Sequence, residues 1–408
     1  MKHDKTISSF LGFLQNLATT LFLKIDFDKL FQKNNEYEIV SDILHKLSQY
    51  FYQSNSALEA RYFSEFHKYW ESNHKDIINP VIDKNACLEL ARALEELYKY
   101  NVIKTQLDPL DLSKEEIARV RFFTTIQDFK IDINAKVNPF ELQKRFPELF
   151  KPEDIVKNPH NINKLLNYLG ATDQGDKRQK WMLKAAQLLI DEYEGEAINI
   201  ANKNSDDVNE IVGALTEGQD KYGYSIKKTH IFIRDLLDLR VWYGLKNIEM
   251  LDTVSDQNTM RIALRTGILK TKTPLISSFL DVYCYQYSLI DEYNRKAWRE
   301  VWIQWAKIKD NHRPVTPASY DYLIYRMGKV ACKKTSRICP PNKKVSEQKY
   351  KKLDSQDRLI FKDEYCIFAK ICKLENKILN PPRSISQKQR TGWDNAKTNE
   401  GGGGGLSS

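Results

Sequence analysis

The chain has 408 residues, with 63 Lys and Arg against 54 Asp and Glu, for a formal net charge of +9 at neutral pH. That length supports a sizeable core divided between two or three structural units. A hydrophobic content of 41% with 11% aromatics excludes a disordered or collagen-like chain, and no apolar run approaches the roughly 18 residues of a membrane-crossing helix, so a soluble protein is expected.

Taken in chain order, the first element is an amphipathic helix rather than a signal peptide. Phe10, Leu14, Leu17 and Leu21 recur at helical spacing, and Gln15 and Asn16 interrupt the apolar run. Helical periodicity continues at Ser41 to Phe51, Cys87 to Tyr100, Lys177 to Tyr193, Lys228 to Leu239, Gln257 to Ile268 and Arg295 to Ile308, while alternating strand patterns are scarce. The expected fold class is all-α. In the Lys177 to Tyr193 helix, Asp176 is the expected cap, Trp181, Ala185, Leu188 and Leu189 form the apolar face, and Gly195 stops the helix. Trp298, Trp302 and Trp305 fall on one helix side and read as core packing rather than as a base-stacking platform.

Asp and Pro cluster at Gln106 to Ser113, and two prolines interrupt Asn311 to Ala318, so the chain is expected to break at both places. From Lys333 to Lys352 there are eight basic residues and one acidic residue. Such a run is ordinarily a solvated loop, but its density also suits salt-dependent phosphate binding. Gly401 to Gly405 followed by Leu-Ser-Ser reads as a flexible linker, and residues 383–408 are expected to form a flexible tail.

Of the six cysteines, Cys87 and Cys284 stand alone in apolar patterns and read as buried structural thiols. The other four cluster: Cys332 and Cys339 enclose six residues, Cys366 and Cys372 enclose five, and 26 residues separate the two pairs. Without a secretion signal, a disulfide framework is not expected. Metal binding is the leading reading. The gaps are wider than the two to four residues usual between zinc-binding pairs, and four thiolates also suit a [4Fe-4S] cluster, so both metals stay open on these grounds.

The stretch from Tyr322 through Cys332, then Cys339-Pro-Pro, then Cys366-Ile-Phe-Ala-Lys-Ile-Cys372 resembles the C-terminal cluster of endonuclease III and its relatives, the helix-hairpin-helix DNA glycosylases. In that family a helix leads into Cys-x6-Cys-x2-Cys-x5-Cys, which holds [4Fe-4S]. The first and last spacings match, and 26 residues replace the middle two, an insertion that costs little closure entropy. The resemblance implies that Cys332, Cys339, Cys366 and Cys372 are the metal ligands. It also implies that Lys333, Lys334 and Arg337, between the first two ligands, meet the DNA backbone.

The same resemblance extends upstream. Asp256, followed by Arg261 and Arg265, reproduces the family pattern Asp-x4-Arg-x3-Arg at the start of a helix that Gly267 ends, which implies that Asp256 is the catalytic carboxylate. Taken alone, an aspartate there is an N-cap, and the two roles are compatible. Gly223-Tyr-Ser225-Ile-Lys227-Lys228-Thr229 resembles the second half of a helix-hairpin-helix, with Ser225 in place of the second glycine. Gly223 and Ser225 are therefore implied to grip DNA phosphates, together with a monovalent cation, and Lys227 or Lys228 to be the amine that bifunctional members use for strand cleavage. Phe122 to Asn134 resembles the helix ending in a Gln-containing turn at the lesion, which makes Gln127 a candidate wedge. The long interval from the lysines to Asp256 is similar to that of archaeal 8-oxoguanine glycosylases.

The resemblance implies an all-α helix-hairpin-helix fold, two helical domains flanking a DNA-binding cleft. Residues 1–110 would be a helical N-terminal extension, 111–310 the core with hairpin and Asp256, and 311–382 the cluster region with its basic insertion. The implied protein is a monomeric cytoplasmic enzyme on nucleoid DNA, flipping out a damaged or modified base and cleaving its N-glycosidic bond, with or without lyase activity. Alternatives are a monofunctional glycosylase for a bulky modified base, a non-catalytic damage sensor on the same scaffold, and a zinc-binding structural protein.

Overall fold

The computed structural model describes residues 5–32, 35–53, 68–70, 72–99, 109, 111–127, 137–217, 221–272, 285–332, 344–353 and 355–372. Most of them are helical, and the strands among them are two short antiparallel ladders. The chain divides into two compact units. One comprises residues 1–96, 255–311 and 324–408, and the other residues 97–254 and 312–323. Most of the expected 1–110 extension, residues 1–96, thus groups with 255–311 and 324–408.

In the first unit, the helices Lys5–Thr20 and Glu36–Gln53 pack together, with Phe10, Leu14, Ile43 and Leu47 fully enclosed. A ladder joins Val81 to Lys270 and Ile82 to Leu269, tying the N-terminal region to the chain that follows the Asp256 helix. The Lys84–Tyr98 helix adds two further ties, the Cys87 thiol against the Ala297 carbonyl at 3.8 Å and Glu95 accepting from the Trp305 indole at 2.6 Å. Trp298 and Trp305 are fully buried on the Tyr285–Trp305 helix, as their spacing predicts. The second ladder pairs Phe361–Lys362 with Tyr365–Cys366 through Asp363 and Glu364, both at positive φ, the geometry of a tight two-residue hairpin.

The second unit is a helical core built around Lys114–Ile126, which packs on Ile226–Asp238 and on Gly175–Tyr193. Ser113 and Glu116 form a reciprocal capping box that begins the first of these helices. Phe122 meets Tyr224 at 5.3 Å and Phe232 at 5.7 Å, and Phe232 meets Trp242 at 5.3 Å, an aromatic chain at the centre of a continuous apolar cluster. Buried charge is organised as a network. Asp235 pairs with Arg121 and Arg234, and Arg234 also reaches Asp321, whose other oxygen accepts the Val254 amide at 3.0 Å. The Gly175–Tyr193 helix begins after Gln174 in the left-handed region with no side-chain cap, so Asp176 lies inside the first turn rather than capping it; Glu194 and Gly195 end it at positive φ.

Candidate functional site

In the first unit, Asp256 is the N-cap of the Gln257–Thr266 helix, and Gly267 ends that helix in the left-handed conformation at φ 75°. One carboxylate oxygen of Asp256 accepts from the Asn258 and Thr259 amides, both at 2.8 Å, and the other accepts from the Asn258 side-chain amide at 3.2 Å. The Thr259 hydroxyl returns the favour to the backbone, receiving the Asp256 N–H at 2.9 Å and donating to the Asp256 carbonyl at 3.1 Å. Asp256 itself is half-buried, whereas Ser255 and Thr259 on either side of it are buried. The result is a carboxylate fixed at a helix start, where it satisfies main-chain N–H groups that have no partner inside the helix.

From that carboxylate a hydrogen-bonded path runs to the first clustered cysteine. The Asn258 side-chain oxygen accepts from Arg261 at 3.3 Å, and the same Arg261 nitrogen donates to the carbonyls of Gly328 and Cys332, both at 3.1 Å. Arg265 donates to the Cys332 carbonyl at 2.8 Å. The path is short because helix backbones approach closely: a Cβ on Gly328 would lie 2.4 Å from that of Asn258. Both arginines are buried. Burial pulls the Arg261 guanidinium below its ordinary range and the neighbouring Arg265 adds to this, while Cys332 and Asp256 oppose it.

Cys332 and Cys366 are buried and Cys372 is half-buried, the last two bracketing a run of tight turns in which the Ala369 amide donates to Cys366 and the Cys372 amide to Phe368, both at 2.8 Å. Cys339, Lys333, Lys334 and Arg337 lie outside the described residues. Among the described residues, no three His, Cys, Asp or Glu side chains gather into a metal-holding group. What does fit a thiolate cluster is the charge around Cys332. The Arg261 hydrogen bonds go to neutral oxygens, its Nε has no acceptor among the described residues, and a buried cation so placed suits an anionic group beside it.

The residues that the resemblance assigns to a hairpin lie in the second unit. Gly223 has φ +76°, and a Cβ there would sit 2.8 Å from Ile126 and 2.9 Å from the Trp181 ring, so both backbone conformation and packing require glycine. Ser225 is exposed, caps the Ile226–Asp238 helix by accepting the Lys228 amide at 3.4 Å, and has ordinary extended backbone, which removes any conformational need for a second glycine. The two lysines differ sharply. Lys227 is exposed, whereas the Lys228 ammonium donates to the carbonyls of Ile126 at 2.7 Å and Gly223 at 2.9 Å and lies 4.9 Å from the centre of the Trp181 ring. Lys228 thus ties the end of the Lys114–Ile126 helix to the turn at Gly223.

Gln127, the candidate wedge, is fully buried at the C-cap of that helix. Its side-chain and main-chain oxygens both accept from Arg178 at 3.0 Å, so its amide is not presented at the surface. Sequence reasoning also missed Asn294, which is completely buried and donates to Ser255 at 2.8 Å and Thr259 at 3.1 Å. A signal for it exists, because Asn294 interrupts the buried stripe of Ile290, Ala297, Trp298 and Val301 at helical spacing.

No protein-family model matches the chain, and no curated protein matches it. No helix among the described residues is long and apolar enough to cross a membrane.

Proposed function

We propose that this chain is a DNA glycosylase of the helix-hairpin-helix type, which extrudes a damaged or modified base from duplex DNA and cleaves its N-glycosidic bond. The observation that carries the reading is the Asp256 carboxylate, held at a helix start and linked through Asn258 and Arg261 to the main chain of Cys332. A residue that is only a helix cap needs no such connection. The link joins the two features whose spacings resemble the family most closely, the Asp-x4-Arg-x3-Arg helix and the cysteine cluster.

In this reading, unstacking the target nucleotide costs a few kcal/mol, which phosphate contacts offset. The amides near Gly223 and the exposed Lys227 supply some of those contacts, with a monovalent cation at the hairpin, and Lys333, Lys334 and Arg337 supply others. As the glycosidic bond breaks, positive charge develops on the sugar, and the Asp256 carboxylate stabilises it. Its two backbone donors hold one oxygen in place, so little reorganisation is needed as the charge appears. Cys332, Cys339, Cys366 and Cys372 would hold a [4Fe-4S] cluster, which clamps the C-terminal region.

One observation favours hydrolysis by water over a lysine mechanism. The Lys228 nitrogen is held by the Ile126 and Gly223 carbonyls, and those contacts must break before it can reach a sugar carbon as a nucleophile. The exposed Lys227 is then the remaining hairpin amine for lyase chemistry.

The test is mass spectrometry of bases released from duplexes carrying oxidised, deaminated, alkylated or bulky modified bases, with wild-type protein and Asp256→Asn. The reading expects release by the wild type, loss of release in the variant, and retained DNA affinity. Binding without release from any substrate would favour a damage sensor. Borohydride trapping separates the two mechanisms, since only amine attack leaves a covalent adduct. Iron and zinc analysis of anaerobically purified protein identifies the metal.

A further inference from the structure

Asn294 lies on the Tyr285–Trp305 helix, 35 positions from Thr259, in a stripe otherwise made of Ile290, Ala297, Trp298 and Val301. Its side chain has no exposed surface, and both of its amide hydrogens are used: one goes to the Ser255 hydroxyl at 2.8 Å and the other to the Thr259 hydroxyl at 3.1 Å. Ser255 directly precedes Asp256, and Thr259 holds the Asp256 main chain. The Thr259 hydroxyl spends its own proton on the Asp256 carbonyl, so it needs donors from elsewhere, and it receives them from the Asp256 N–H and from Asn294. A carboxylate at 294, which only accepts, has no hydrogen to give Thr259.

The other half of the amide strengthens the case. The Asn294 side-chain oxygen is buried and has no hydrogen-bond partner among the described residues. An unsatisfied buried acceptor lowers stability, and an apolar side chain of the same size avoids that penalty. A polar residue kept in an apolar stripe at such a cost calls for a role other than packing.

We infer that Asn294 is a positioning residue for the Asp256 carboxylate, acting through Ser255 and Thr259. The inference rests on the proposed glycosylase reading for its catalytic consequence, but its structural content stands apart from it. With the amide in place, the segment from Ser255 to Thr259 is pinned from the neighbouring helix as well as by its own cap. Without it, the carboxylate keeps its two amide donors but loses the anchor that fixes the whole turn.

The experiment pairs two measurements on full-length Asn294→Leu, an isosteric change that removes donor and orphan acceptor together, and on Asn294→Ala as a second variant should the first disturb folding. Amide hydrogen exchange is followed across residues 254–260, and single-turnover base release and DNA affinity are measured on the panel of modified duplexes. The inference expects faster exchange confined to 254–260, a release rate about 10- to 100-fold lower, and DNA affinity within about twofold of wild type, the pattern of a displaced catalytic group. Combining Asn294→Leu with Ser255→Ala should cost less than the sum of the two separate losses. Unchanged exchange at 254–260, or a release rate equal to wild type, overturns the inference. Wild-type protein that releases no base from any duplex removes the glycosylase reading instead, and the exchange comparison then decides Asn294 alone.

Discussion

Arg261 donates to the main-chain carbonyl of Cys332 at 3.1 Å, and the same nitrogen contacts Asn258, whose side-chain amide holds the Asp256 carboxylate. One guanidinium thus couples the start of the Asp256 helix to the first of the clustered cysteines. Arg261→Met should lower stability by about 2–4 kcal/mol, because charge-assisted bonds to two carbonyls are lost together. Equilibrium unfolding measures that loss, and under the proposed function the iron content of the variant should fall with it. A variant as stable as wild type, with full iron content, would show the contact to be incidental.

Gly223 offers a sharper steric test. An added Cβ must occupy a left-handed conformation and meet Ile126 and Trp181 at under 3 Å. Gly223→Ala should therefore cost about 2–4 kcal/mol, combining backbone strain with overpacking. Thermal denaturation would show it as a clear drop in Tm, and an unchanged Tm would mean that the turn at Gly223 is not built as described.

The neighbouring lysines should separate cleanly. Lys228→Met removes two bonds to carbonyls and should destabilise the protein by about 1–3 kcal/mol. Lys227→Met alters an exposed side chain and should change stability by no more than about 0.5 kcal/mol. If Lys227 meets a phosphate, its loss lowers the slope of log affinity against log salt by about 1. Measuring Tm and salt-dependent DNA binding for both variants checks the assignment, and the opposite pattern would reverse it.

The buried network predicts a pH dependence. Burial pushes the Asp235 carboxyl up, and the guanidiniums of Arg234 and Arg121 pull it down by more, leaving it below the ordinary range. Because the folded value lies below the unfolded one, the stabilisation is fully present above about pH 4 and disappears as pH falls through the folded value. Denaturation midpoints should thus be insensitive to this group near neutrality and drop in acid. Asp235→Asn should cost about 3–5 kcal/mol at pH 7 by leaving Arg121 without its carboxylate and Arg234 with Asp321 alone, and should flatten the acid dependence. Chemical denaturation at several pH values provides the comparison.

Local features of the Asp256 helix were readable from residue order because their causes are local. An Asp before an amphipathic run is a cap, and Gly267 tolerates the left-handed turn that ends it. The tryptophan stripe was readable in part, since Trp298 and Trp305 are fully buried on the apolar side while Trp302 is half-buried. Asp176 was misread as a cap because the helix starts earlier, after a left-handed Gln174 that no propensity marks. The grouping of the N-terminal region is of a different kind: what binds it into its unit is pairing such as Val81 with Lys270, between residues far apart in the chain.

Periodicity and capping chemistry, which act over a few residues, were enough to set the helical class and the helix at Asp256. Which polar groups are available for chemistry was decided only when distant segments came together. Arg178 buries Gln127 from 51 positions away, two carbonyls claim the Lys228 amine, and Asn294 reaches across 35 positions to steady the turn at Asp256. Burial and hydrogen-bond partnership are properties of neighbours in space, and a list of residues does not say who those neighbours are.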